Sequence, residues 1–173
     1  VPLTASDAGS TDTRRPAFAQ KGNTYMPLRT ITPSPLNNNG TINQFQYFGL
    51  ASRFRPVAFT GQLDFNRYAP VQVSLLGEVV HNTAYDVNRF PAGVPGDPDY
   101  FAPVYFGGEE GGDLGYALSL VVGHAAIDAA GRWRAALGYR HVESDAIIDG
   151  FADSDFGGGG TNLRGFTLSG QYG

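Results

Sequence analysis

Between residues 57 and 82 the chain reads VAFTGQLDFNRYAPVQVSLLGEVVHN, and its first ten positions alternate in character. Val57, Phe59, Gly61, Leu63 and Phe65 share one parity, while Ala58, Thr60, Gln62, Asp64 and Asn66 share the other. A period of two is the mark of an extended strand with unlike faces. The run closes on NRYAP, a turn-forming cluster, and a second apolar stretch follows, so the segment predicts a β-hairpin. With the turn centred on Tyr68, Phe65 would face Val71, Leu63 would face Val73, Gly61 would face Leu75, and Val57 would face Val79. The opposite side would bring together Asp64 and Gln72, Gln62 and Ser74, and Ala58 and Glu78. Both strands then agree on which face is apolar, the condition that fixes a register.

The pattern recurs downstream. In DLGYALSLVVGH the apolar parity is Leu114, Tyr116, Leu118, Leu120 and Val122, and in RWRAALGYRHVE it is Trp133, Ala135, Leu137 and Tyr139. A turn through IDAAG pairs Val122 with Ala135, Leu120 with Leu137 and Leu118 with Tyr139. NLRGFTLSGQYG predicts a last strand with Phe166, Leu168, Gly170 and Tyr172 on one side and Gly165, Thr167, Ser169 and Gln171 on the other. Residues 1–43, rich in Pro, Asn, Thr and Ser, read as loop, and FQYFGLASRF before Pro56 is strand-like but blurred, its boundary open. Strand regions are therefore expected over 44–82, 113–143 and 161–173, with long loops at 83–112 and 144–160. Short turns on one rim and long loops on the other are the habit of outer-membrane barrels. The fold class expected is all-β, an antiparallel up-and-down transmembrane β-barrel. Five or six strands are too few to close, since a barrel takes at least about eight, so a partial barrel is expected.

Alternation alone does not decide whether the apolar parity faces lipid or a soluble core. Composition leans toward lipid: aromatics reach 13% and charged residues only 16%, against about 25% charged in soluble domains. Lys21 is the single lysine, and the second face of each strand is small or polar where a soluble surface would carry Lys and Glu. Phe65, Tyr68 and Trp133 sit toward the short turns, and Tyr116 and Tyr139 toward the long loops, like the two aromatic girdles of a barrel. No apolar run approaches the roughly 18 residues of a membrane helix. With no Cys there is no disulfide or thiolate chemistry, and a net charge of −4 offers no footprint for nucleic acid. The opening VPLTASDAGSTDTRRP is not a signal peptide, so either a leader has been removed or the chain is an internal piece.

Three stretches, RRPAFAQKGNTYMPLR at 14–29, PVQVSLLGEVVHN at 70–82 and GYRHVESDAIIDGFADSDFGGGGTNLRGFTLSGQYG at 138–173, resemble the putative porins of Gram-negative bacteria. The most specific part is YRxxESDAxxDGFxDSDFGGGGTN. Members of that family are large single-chain outer-membrane barrels that end on a strand with a terminal aromatic residue. This chain stops at Gly173 before such an ending, so it resembles a late portion of the barrel. The resemblance implies a water-filled channel for passive diffusion of small hydrophilic solutes or ions. The implied partners are the lipid bilayer, those solutes and the rest of the same barrel, with room for a homo-oligomer. The alternative is a soluble or surface-attached β-sandwich that binds a ligand or partner.

Candidate residues follow from parity. Arg134, Arg140, Glu78, Asp64, Gln62 and Ser119 fall on the polar side and would line a lumen, the two arginines facing acids such as Glu78 or Asp64 to set a transverse field. Salt bridging inside the barrel is the plainer role for the same charges. Glu109 and Glu110, with Asp113, form an acidic loop tip that would attract cations at a pore entrance or simply be solvated. Asp153 and Asp155 precede four glycines and offer oxygens to a hard cation, but the spacing of an EF-hand loop is missing, so a flexible polar loop is expected; the resemblance implies that this loop packs over or into the pore mouth. His81, His124 and His141 are dispersed, so no metal site is expected, and no nucleophile motif supports catalysis. No cofactor is implied.

Overall fold

The computed structural model describes residues 21–31, 44–89, 104–105 and 112–173. Glu109, Glu110 and the sequence blocks 14–20 and 33–40 lie outside the described residues. The elements in chain order are β1 (Thr24–Ile31), β2 (Gln44–Leu50), β3 (Pro56–Phe65), β4 (Val71–Asn82), β5 (Val104–Tyr105), β6 (Leu114–His124), β7 (Trp133–Val142) and β8 (Leu163–Tyr172), with single 3-10 turns at Val87–Arg89 and Asp149–Phe151. Strands β3-β4-β6-β7-β8 form one antiparallel sheet, and β2-β1-β5 form a smaller one. Within the larger sheet each strand pairs with the next in the chain, apart from the two-residue β5, which belongs to the other sheet. Among the described residues β3 and β8 each keep one unpaired edge. The chain is thus all-β, an open part of a barrel.

Strand β1 corrects the reading of 1–43 as loop, and β2 ends at Leu50, earlier than the blurred pattern suggested. The sequence TYMPLRTI of β1 carries Pro27 and no clean alternation. It is a strand because β2 pairs along it, from Tyr25 with Leu50 to Ile31 with Gln44. Pro56 opens β3, a position where a missing amide hydrogen is tolerated.

The first hairpin has the expected faces but a different register. Phe65 pairs with Val73, Leu63 with Leu75, Phe59 with Val79 and Asp64 with Ser74, a displacement of two residues from a turn centred on Tyr68. The turn is longer because the Ala69 amide bonds the Asn66 carbonyl at 3.3 Å and the Val71 amide bonds the Tyr68 carbonyl at 3.0 Å. Pro70 between them has no amide to donate. A shift of two residues leaves every side chain on its face, whereas a shift of one would exchange them all. The second hairpin has the register read from its sequence: Val122 with Ala135, Leu120 with Leu137, Leu118 with Tyr139.

The apolar face lies open. Phe59 is 71% exposed, Leu137 52% and Leu168 82%, and the only buried hydrophobic residues among those described are Tyr25 and Ala146. Among the described residues its exposure leaves no second sheet covering it, whereas a sandwich would set one about 10 Å away. Aromatic residues mark both margins. Tyr116 lies 6.1 Å from Tyr139 and Tyr139 lies 4.9 Å from Phe166, ring centre to ring centre, on the long-loop side. Trp133 pairs with Tyr172 on the short-turn side.

Candidate functional site

The opposite face of the larger sheet is built from short side chains, and the β7–β8 connection folds onto it. The ring of Phe156 lies over Gly165, and a Cβ on Gly138 would crowd the hydroxyls of Thr167 and Ser119 on the neighbouring strands. Arg140, inward on β7, donates to an Asp153 carboxylate oxygen at 3.0 Å and stacks over the Phe156 ring, its guanidinium carbon 5.1 Å from the ring centre. One arginine therefore holds the loop by charge and by an aromatic face at once.

The base of this loop is fixed by a polar core at the long-loop rim. Asn23, just before β1, donates from its amide to the carbonyls of Ser144 at 2.5 Å and Ile147 at 2.8 Å, and its Oδ1 accepts from the Asp149 amide at 2.6 Å. Thr24 donates to Asp145 from both its amide, at 3.1 Å, and its hydroxyl, at 2.6 Å. Tyr25 donates its phenol to Asp149, at 3.1 Å to the nearer oxygen. At the end of β4, Asn82 ties in the carbonyls of Arg53 and Asp145, both at 2.8 Å, and accepts from the Arg55 amide at 2.8 Å. All of Asn23, Thr24, Tyr25, Asn82, Ser144, Asp145, Asp149 and Thr161 are buried.

The four glycines at 157–160 let the loop close on this core. Every one has positive φ, between 62° and 91°, a region L side chains rarely enter. A Cβ on Gly160 would run into the Lys21 backbone, and one on Gly22 into Thr161. The close approach is sealed by the Thr161 amide bonding the Lys21 carbonyl at 2.8 Å and by Lys21 Nζ donating to the Gly157 carbonyl at 2.5 Å. The run expected to be a flexible loop is instead a fitted turn of defined conformation.

The remaining polar-face residues fall into two groups. Toward the short turns, Gln62 donates to both Asp64 oxygens at 2.9 Å and Ser74 donates to one at 2.5 Å. Arg134 lines the same hollow but does not pair with Asp64. Its guanidinium donates to the carbonyls of His124 and Ala125, so it holds the turn and does not form the salt bridge that was the plainer alternative. Toward the long loops, Ser119, Arg140, Asp153 and Asp155 line one hollow. Glu78 and Arg140 both neighbour Ala117 in the ladder, one on each side. That places them about 10 Å apart across two strand spacings. Arg140 takes Asp153 as its partner, not Glu78.

The family described as "Putative porin" matches residues 1–173. The chain belongs to that family. No curated protein and no solved structure matches it. A porin is membrane-embedded, and the apolar face that the fold leaves exposed is in keeping with that.

Two carboxyls of the porin's loop have displaced titration, in opposite directions. Burial raises Asp145 above the usual aspartate range; hydrogen bonds from Thr24 and Ser144 oppose the shift and the neighbouring charge of Asp149 adds to it. Asp153 is held lower, first by the Asp155 amide and then by Arg140. A raised folded value means that Asp145 contributes most below the ordinary aspartate pKa, a contribution lost as pH climbs through the raised one. Asp153 contributes above its ordinary value, and that is lost as pH falls through the lowered one. Hydrogen exchange at the Thr24 amide, corrected for intrinsic rate, should therefore accelerate as pH climbs from the ordinary aspartate range through the raised value of Asp145. A flat profile would mean that Asp145 does not titrate with the loop anchor.

Asn23, Asn82, Asp145 and Asp149 were not expected as functional residues. Two of them lie in the strongest family signature, ESDAxxDG, where carboxylates two and four residues apart in a chain so short of charge are the signal that could have found them.

Proposed function

We propose that the polar face lines a water-filled channel through the outer membrane of a Gram-negative cell, open to passive diffusion of small hydrophilic solutes or ions. The observation that carries this reading is the two-sided sheet, apolar and exposed on one face, small and polar on the other, with the 144–160 loop latched onto the polar face by Arg140 and Asp153. Further strands of the same barrel would pair on the free edges of β3 and β8, because an unpaired edge recruits another strand. Lipid surrounds the closed barrel, and no nucleic acid, cofactor or catalytic step enters the reading. Selectivity arises from the constriction made by the loop and from the charges beside it.

The test is planar-bilayer recording of the intact barrel in a salt gradient. Arg140→Glu replaces a positive charge by a negative one beside Asp153, so the reversal potential should move toward cation preference. The displacement should shrink at high salt, where the Debye length falls to about 3 Å at 1 M. Arg134→Glu should move it less, because Arg134 holds the turn carbonyls of His124 and Ala125 near the other rim. Equal, null effects from both substitutions would reduce the two arginines to structural roles.

A further inference from the structure

Between the 144–160 loop and strands β4, β6 and β7 lies a hollow that the two charges of the latch do not fill. Its wall is apolar where Val80, Val142, Ile147 and Phe151 line it, and it is edged by Glu78, Arg140 and Asp153. Arg140 and Asp153 neutralise each other at 3.0 Å. Glu78 is exposed and makes no hydrogen bond or ion pair with any described residue. Among the described residues the hollow therefore carries one negative charge without a counter-charge, beside an apolar surface. Phe151 is 84% exposed, and unlike Phe156, whose face is taken by Arg140, its ring has no cation over it among the described residues.

We infer that this hollow is a binding subsite for organic cations with an apolar body, with Glu78 receiving the ammonium group and Phe151 the hydrophobic part. The inference rests on the channel reading and names a solute class for it. An anion would meet Glu78 with the one nearby guanidinium already engaged. A hydrated metal ion would gain nothing from the apolar wall, and a single free carboxylate falls short of the six to eight oxygens that calcium takes. An amine on a hydrocarbon body matches both halves: a charge-assisted hydrogen bond to the carboxylate, and burial of carbon against the loop with an aromatic face in reach.

The experiment is single-channel recording of the intact barrel with three probes: phenethylammonium, tetramethylammonium and 3-phenylpropionate. Phenethylammonium should interrupt the current at lower concentration than tetramethylammonium, and phenylpropionate should not interrupt it. Glu78→Gln should raise the half-blocking concentration of phenethylammonium about tenfold, the loss expected for one charge-assisted contact. Phe151→Ala should weaken phenethylammonium and leave tetramethylammonium unchanged. Arg140→Gln, by freeing the Asp153 carboxylate at the same hollow, should tighten the amine. Channels that conduct normally but are blocked equally by amine and carboxylate, or are indifferent to Glu78→Gln, would overturn the subsite and leave the channel standing. An intact barrel that passes no current would overturn the channel reading and the subsite with it.

Discussion

Leu137→Arg should destabilise the barrel in a bilayer by about 2 to 4 kcal/mol, the cost of a cationic side chain near the membrane midplane. Leu137 lies midway along β7, 52% exposed, between Leu120 on one neighbouring strand and Leu168 on the other. On the proposed reading lipid lies beyond the sheet here, so a guanidinium would have no partner to offset its lost hydration. Ser119→Arg is the control. Ser119 pairs with Gly138 one strand away but points to the opposite face, where an arginine projects into water, so folding should be retained and conductance should fall. Denaturant titration of the barrel in vesicles measures the first effect, and bilayer recording measures the second. If Leu137→Arg folded normally and Ser119→Arg did not, the two faces would be assigned the wrong way round.

That experiment probes the part of the molecule most legible in the sequence. Alternation gave the faces of β3, β4, β6, β7 and β8 because the side-chain period of a strand is a local property, visible without knowing any partner. The register of β6 on β7 was legible too, since its apolar pairs agree with a turn through residues 125–132. The register of β3 on β4 was two residues away because parity cannot tell registers that differ by two, and the length of the turn was hidden in how Pro70 interrupts amide donation. Strand β1 had no local signature: with Pro27 in its midst it is a strand through its pairing to β2, a contact distant in sequence. The least legible feature was the burial of polar residues. Asn23, Asp145 and Asp149 stand in stretches whose composition is that of exposed loops, and hydrogen bonds to Thr24, Tyr25, Ser144 and one another allow them inside. The inward loop itself could be expected from the family signature, but its latch could not, because pairing Arg140 with Asp153 requires knowing that the loop folds back over β7.

Asn23→Ala should release that loop. Three of the four polar valences of the Asn23 amide reach carbonyl or amide groups of the loop base, at Ser144, Ile147 and Asp149, and its Nδ2 also lies 3.3 Å from the Thr161 hydroxyl. Truncation to a methyl removes all of them together and leaves buried backbone groups unpaired, each costing about 1 to 3 kcal/mol. Water entering the gap recovers part of this, so a net loss on the order of 3 kcal/mol in the stability of the docked loop is expected. The sheet itself should survive, because Asn23 lies outside every strand and the ladders of β3 to β8 do not use it. The effect should therefore be local: faster hydrogen exchange at the Asp149 and Thr161 amides, unchanged exchange at Leu120 and Leu137, and protease cleavage within 150–160. With the loop base loosened, Arg140 and Asp153 are left to hold the far end by a half-exposed ion pair, which solvent screens and weakens. The loop should then spend part of its time off the polar face, and the intact barrel should show larger, noisier single-channel currents than the unaltered protein. Should conductance and exchange both stay as they were, the polar core would be an ornament of the rim, and the constriction would have to be held by the Arg140 latch and the sheet alone.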